Sequence, residues 1–158
     1  MHGNEAERLA ALRRYRILDT DPEQAFDDLA LLASQICGTP IALITLVDAD
    51  RQWFKARVGV STTETSRSIS FCAHAMQHEG LFVVPDVLED RDFRDNPMVT
   101  GDPHIRFYAG APLVTHDGYA LGTLCVADDH PRSWTTKDVE VLTDLAASVL
   151  TEIKLRRP

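Results

Sequence analysis

Phe107-Tyr108-Ala109-Gly110-Ala111-Pro112-Leu113-Val114 and Tyr119-Ala120-Leu121-Gly122-Thr123-Leu124-Cys125-Val126-Ala127 flank the polar tetrapeptide Thr115-His116-Asp117-Gly118. Two apolar runs around an Asp-Gly step read as a β-hairpin, because that step tolerates the positive φ angles of a tight reversal. In the second run both alternating sets, Leu121/Thr123/Cys125/Ala127 and Ala120/Gly122/Leu124/Val126, are mostly apolar or small, so the strand is expected to be covered on both faces. Gly110 and Gly122 remove side chains where a helix, another backbone or a ligand packs closely on the sheet, and a helix is the expectation.

Working outward, Glu5 to Arg16 reads as an amphipathic helix with Leu9 and Leu12 on one side. It carries few apolar residues and so leans on the domain or on a second copy. Asp21-Pro22-Glu23-Gln24 predicts a capped helix start, after which Phe26, Leu29, Ala30, Ala33, Ile36 and Cys37 recur at helical spacing up to Gly38. Ile41 to Val47 has the composition of a buried strand. Gln52 to Val60 alternates, with Phe54, Ala56, Val58 and Val60 facing in and Trp53, Lys55 and Arg57 facing water. A polar loop from Ser61 to Ser68 precedes a short helix capped by Ser70, and Leu81 to Val84 is a short strand. The acidic segment Asp86 to His104, broken by Pro97, Gly101 and Pro103, is either a binding loop or lid or a solvated connector. Thr135 caps a last helix in which Val139, Leu142, Ala146, Val149 and Ile153 make a heptad-like stripe. That stripe suits a dimer seam or packing on a sheet equally well.

The order of elements contains no repeated strand-helix-strand crossover and no glycine-rich phosphate loop. An α+β fold is expected, an antiparallel sheet with helices gathered on one face and the long loop and short helix covering the other. The boundaries read as 1–20 for an N-terminal helix and linker and 21–158 for the main domain with its C-terminal helix.

The chain has 158 residues, the size of one domain with a sizeable core. Its 24 acidic and 16 basic residues give a net charge of -8, which supplies no basic surface for nucleic acid. Arg13, Arg14 and Arg16, and the terminal Lys154, Arg156 and Arg157, read as solvated helix faces. No apolar stretch approaches the roughly 20 residues of a membrane span, and the N-terminus lacks a signal peptide's apolar core, so the expectation is a cytoplasmic protein. Cys37, Cys72 and Cys125 are odd in number and widely spaced, which argues against a disulfide framework or a CxxC zinc site and for small buried hydrophobes.

Several motifs in order resemble the GAF domains of bacterial signalling proteins: Ile17-Leu18-Asp19-Thr20, Ala42 to Asp48 followed by Arg51-Gln52-Trp53-Phe54-Lys55, Ser70-Phe71-Cys72-Ala73-His74, Asp95-Asn96-Pro97, and Arg106 to Leu113. The resemblance runs from about Leu9 to Lys154. It implies a GAF-like, PAS-related sheet with terminal helices on one face and a ligand pocket on the other. It also implies a non-catalytic regulatory domain that senses a small molecule and signals through its terminal helices in a homodimer. The output module would be of the histidine kinase, diguanylate cyclase or phosphatase kind.

Phe71, Cys72, His74, Asp86, Asn96, Arg106 and Tyr108 are the candidate ligand-binding residues, combining apolar walls with a few polar groups. Arg106 would pair with a ligand carboxylate or phosphate, or hold the loop shut through Asp92 or Asp95. His74 and His78 are spaced for a metal on a helix but lack a third ligand, so His74 is expected to bond to backbone in the pocket wall. The ligand is unspecified; covalent bilin attachment, which uses a Cys-His pair in phytochrome-like relatives, is not expected from Cys72-Ala73-His74. Two alternatives are a thiol-dependent enzyme similar to the free methionine-R-sulfoxide reductases and a dimerisation module with an empty pocket. The first is disfavoured by the placing of the three cysteines on different elements.

Overall fold

The computed structural model describes residues 5–156. Helices α1 (Glu5–Arg14) and α2 (Gln24–Cys37) lead into strands β1 (Ile41–Val47), β2 (Arg51–Val58) and β3 (Glu64–Ser66). A short helix α3 (Phe71–Ala75), strand β4 (Phe82–Val84) and a one-turn helix α4 (Pro97–Thr100) follow, then β5 (Phe107–Val114), β6 (Ala120–Asp128) and the long helix α5 (Thr136–Leu155). The strands form one sheet in the order β3-β2-β1-β6-β5-β4, every neighbouring pair antiparallel.

The hairpin forms as read, reversing at Asp117-Gly118 with Gly118 at φ +91°. Its second strand, β6, lies beside β1 at the centre of the sheet, and every residue of β6 is buried. The glycines do not make room for a helix. A Cβ on Gly122 would stand 1.9 Å from the carbonyl oxygen of Thr45 on β1, and one on Gly110 would meet the Tyr108 ring. One glycine admits a neighbouring strand; the other lets an aromatic ring lie over the sheet.

The inner layer on the helical side joins Leu12, Ile17, Phe26, Ile44, Leu46, Trp53, Phe107, Leu121, Leu124, Leu142, Val149 and Ile153. Four of the five stripe residues of α5, Leu142, Ala146, Val149 and Ile153, are buried, and α5 packs on α2, β5 and β6. The stripe therefore serves the chain's own core, and Val139 alone of the five is exposed.

Strand β2 departs from the expected alternation. The register with β1 slips between Ile44 and Thr45, so that Ala56 pairs with Ile44, Phe54 pairs with Thr45, and Lys55 is the extra residue. A bulge of this kind lets successive residues share a face. Trp53 and Lys55, expected in water, are buried on the helical side. The Lys55 ammonium donates to Glu23 Oε2 (2.6 Å), Asp21 O (2.6 Å) and Thr20 Oγ1 (2.7 Å). These contacts explain why Asp21 caps nothing: α2 begins at Gln24 behind Glu23, and the linker's polar groups are turned onto the lysine. Arg156 also bonds Glu23, through Nε at 2.8 Å, and donates to the carbonyls of Tyr15 and Arg16. It is a tie between the chain's two ends rather than a solvated charge, while Arg157 lies outside the described residues.

Candidate ligand pocket

On the other face of the sheet a second apolar cluster gathers Phe71, Cys72, Met76, Val84, Val87, Phe93, Val99, Ile105, Tyr108 and Cys125. Ser70 positions α3 by accepting a hydrogen bond from Ala73 N at 3.0 Å, as its place before the helix predicts. Its hydroxyl also donates to Gln52 Oε1 (2.5 Å), and Gln52 Nε2 donates to Thr65 Oγ1 (2.5 Å). This chain of side chains fastens α3 to β2 and to the edge strand β3, which forms inside the segment read as a polar loop.

The segment from Asp86 to His104 folds over α3 as a lid. Phe93 stacks on Phe71 with ring centres 4.4 Å apart, and Phe71 meets Tyr108 at 5.1 Å. Asn96 caps α4, accepting from Met98 N at 2.8 Å, and donates through Nδ2 to Ile69 O at 3.0 Å. Arg106 donates to Val99 O (2.8 Å) and Ile105 O (3.1 Å). Asp86 caps a single 3-10 turn by accepting from Leu88 N at 3.2 Å.

Beneath this lid lies a cavity of about 240 Å³. Its walls include Ile41, Leu43, Phe54, Ile69, Met98 and Ile105, with Phe71, Cys72, Tyr108 and Cys125 at its floor. Of the seven candidates, Phe71, Cys72 and Tyr108 line it; His74, Asp86, Asn96 and Arg106 do not. Asp86, Asn96 and Arg106 spend their polar groups on nearby backbone, and the His74 ring packs against Phe93 with ring centres 5.0 Å apart. Arg106 reaches neither Asp92 nor Asp95 but the carbonyls of Val99 in the lid and of Ile105 just after it. His78 stacks on Phe82 beyond the end of α3, because the helix stops at Ala75 and breaks the spacing a metal pair needs.

Cys72 and Cys125, expected as small buried hydrophobes, meet each other and a polar partner at the floor. Cys72 Sγ and Cys125 Sγ lie 3.8 Å apart, and the Tyr108 hydroxyl donates to Cys72 Sγ at 3.1 Å. Burial works against the Cys72 thiolate. Hydrogen bonding, from Cys125 first and from Tyr108 as well, outweighs it and lowers the pKa. Cys125 is pushed the other way, by its bond to Cys72 and then by burial. Burial and the two thiols raise Tyr108, so it remains a donor. The Thr45 and Thr123 hydroxyls, paired across β1 and β6, find no hydrogen-bond partner of good geometry among the described residues.

Sequence reasoning missed Cys125 and Gln52 as parts of this site. The register that brings Cys125 there pairs it with Gly110, and Ala127 with Tyr108. Counting back from the Asp-Gly turn fails to give it, because β5 and β6 slip between Leu113 and Val114. No local signal in the sequence marks that slip.

A twisted antiparallel sheet with helices on one side and a lidded cavity on the other is the GAF arrangement, and residues 21–153 match the GAF domain family; the chain belongs to it. Over 155 residues it is 42% identical to a cyclic di-GMP phosphodiesterase of Pseudomonas aeruginosa, an alignment covering 98% of this chain and 26% of that protein. The chain thus spans about a quarter of that relative. Among solved structures it is similar to the GAF domain of a phosphoenolpyruvate-protein phosphotransferase from Coxiella burnetii, at TM-score 0.70 and 14% identity, covering 96% of this chain and 95% of that one. It is also similar to the free methionine-R-sulfoxide reductase of Neisseria meningitidis, at TM-score 0.66 and 18% identity, covering 98% and 96%. These two likenesses show the fold. Among the described residues no helix is long and apolar enough to cross a membrane.

Proposed function

We propose that this chain is a regulatory sensor domain that binds a small, uncharged, largely apolar molecule and controls a signalling output module. The observation that carries this reading is the lidded cavity, whose walls are mostly aliphatic and aromatic, with Gln52, Thr65 and Tyr108 as inner polar groups and the exposed Thr62 and Asp102 also on its lining. A pocket of that make-up holds a ligand by apolar burial and orients it by a few hydrogen bonds. Among the described residues no arginine or lysine lines it. An anion entering would lose its hydration without gaining a counter-charge, which is costly in a low-dielectric site, so carboxylate and phosphate ligands fit poorly. The similarity to part of a cyclic di-GMP phosphodiesterase supports an output of the cyclic-dinucleotide kind. In this reading the pocket is regulatory and the chemistry belongs to the output.

Transmission would run through the helical layer in a homodimer. Leu31, Leu32 and Ile36 on α2 are exposed apolar residues that the chain's own core leaves uncovered, and α2 packs directly on α5. The test of the pocket is titration with the neutral fluorophore N-phenylnaphthylamine. Saturable fluorescence enhancement is expected, weakened about tenfold or more by Val60→Trp at the cavity wall. Absence of saturable binding to the wild-type protein contradicts the reading.

A further inference from the structure

Cys72 stands on α3 and Cys125 on β6, 53 residues apart in sequence, yet their sulfurs are 3.8 Å apart and both line the cavity. A sulfur–sulfur bond requires about 2 Å. The gap to be closed is therefore under about 2 Å, and one of the two side chains sits on a helix of five residues. Neither thiol is open to bulk solvent. The reagent that reaches them has to be small and to enter through the cavity.

The surroundings suit an oxidised or ionised sulfur better than a neutral thiol pair. A buried hydroxyl without a partner costs about 1–3 kcal/mol, and two such groups, Thr45 and Thr123, stand beside the thiols. A thiol is a weak acceptor; a thiolate or a sulfenic oxygen is a strong one. Tyr108 supplies a third donor at 3.1 Å.

We propose that Cys72 and Cys125 are a modification site, a dithiol on the pocket floor that hydrogen peroxide converts to a disulfide. The Cys72 thiolate attacks one peroxide oxygen; the S–O bond forms, the O–O bond breaks, and hydroxide leaves to be protonated to water. Cys72 is thereby oxidised to the sulfenic acid and the peroxide reduced. Cys125 Sγ then attacks the sulfenic sulfur, so the S–S bond forms and the S–O bond breaks, and the departing hydroxide takes the Cys125 proton as a second water. Two thiols and one peroxide give one disulfide and two waters. The lowered pKa of Cys72 and the raised one of Cys125 agree with this order of attack. Cys37, buried within the helical-side core and raised in pKa by that burial, takes no part.

This inference does not rest on the ligand reading, since a cavity that binds nothing still admits peroxide. The test is intact-mass and peptide mass spectrometry of the reduced wild-type protein, treated with hydrogen peroxide, quenched, and alkylated after unfolding. The expected product has lost two hydrogens, carries one alkyl group, and yields a Cys72–Cys125 cross-linked peptide. Its formation should accelerate with pH through a pKa below the ordinary thiol value. Tyr108→Phe, checked for unchanged thermal unfolding, should slow it about tenfold at neutral pH. In Cys125→Ser the sulfenic acid at Cys72 should be trapped by dimedone. Three alkylated cysteines after peroxide treatment, or a cross-link that includes Cys37, would overturn the proposal. So would a disulfide formed as fast with free methionine-R-sulfoxide, because the pair would then be catalytic in a reductase.

Discussion

Gly122 has no room for one more carbon. A Cβ there would fall 1.9 Å from the Thr45 carbonyl oxygen and within 3 Å of two further backbone atoms of β1, and backbone in a central strand cannot move aside cheaply. Gly122→Ala is expected to cost about 3 kcal/mol or more in urea denaturation. Gly80→Ala, where nothing lies within 4 Å and the cost is only that of φ +74°, should cost about 1 kcal/mol. Ionisable groups add a pH dependence. Glu5 is held to about 2, chiefly by hydrogen bonding to Arg8 and, against burial, by Arg67 as well. Its folded pKa lies below its unfolded value, so it contributes stability above the ordinary carboxylate range. That contribution is lost as pH falls toward about 2. Urea midpoints measured from neutral pH downward should fall, and Glu5→Gln should flatten the fall. At this scale the sequence was informative where a residue's role is local: Ser70 and Thr135 cap as read. It was uninformative for Lys55 and Arg106, whose partners are set by a bulge and by a lid that no periodicity encodes.

The lid is the element on which ligand access depends. Asn96 holds it twice, capping α4 and bonding to Ile69 O beside α3. Asn96→Ala should cost about 1–2 kcal/mol, and amide hydrogen exchange should rise most across residues 96–101. Uniform loss of protection across the sheet would instead mark Asn96 as a general stabiliser. Arg106→Ala, which removes one bond to the lid's backbone at Val99 O and one to Ile105 O, is expected to act likewise rather than to abolish recognition of an anion. The hairpin, α2, β1 and α5 could be read from the sequence because each carries its own period of apolar residues. The edge strand β3 could not: it has three residues, no alternation to count, and a partner that only tertiary structure supplies. The α5 stripe was readable as a stripe but not in its destination, since a helix on its own sheet and a helix on a partner need the same face.

At the scale of the whole molecule, the helical layer divides into a buried side and an exposed one. With Leu142, Ala146, Val149 and Ile153 committed to the core, any dimer must use the outer surface, where Leu31, Leu32 and Ile36 are available. Leu32→Asp with Ile36→Asp should therefore convert a dimer to a monomer in light scattering while leaving the circular dichroism spectrum unchanged; a dimer that persists would place the interface elsewhere. The Lys55–Glu23–Arg156 junction ties the start of α2, the sheet and the end of α5 together. A shift of the sheet under an occupied pocket would be felt at the chain's C-terminal helix, provided that the ligand binds two arrangements with different affinity.

The most direct test of this account is native mass spectrometry of the freshly purified, reduced protein, which reports subunit number and retained small molecules together. The account predicts a dimer carrying a constant extra mass, lost on Val60→Trp while the dimer persists. A bare monomer that stays bare across neutral apolar ligands would contradict it.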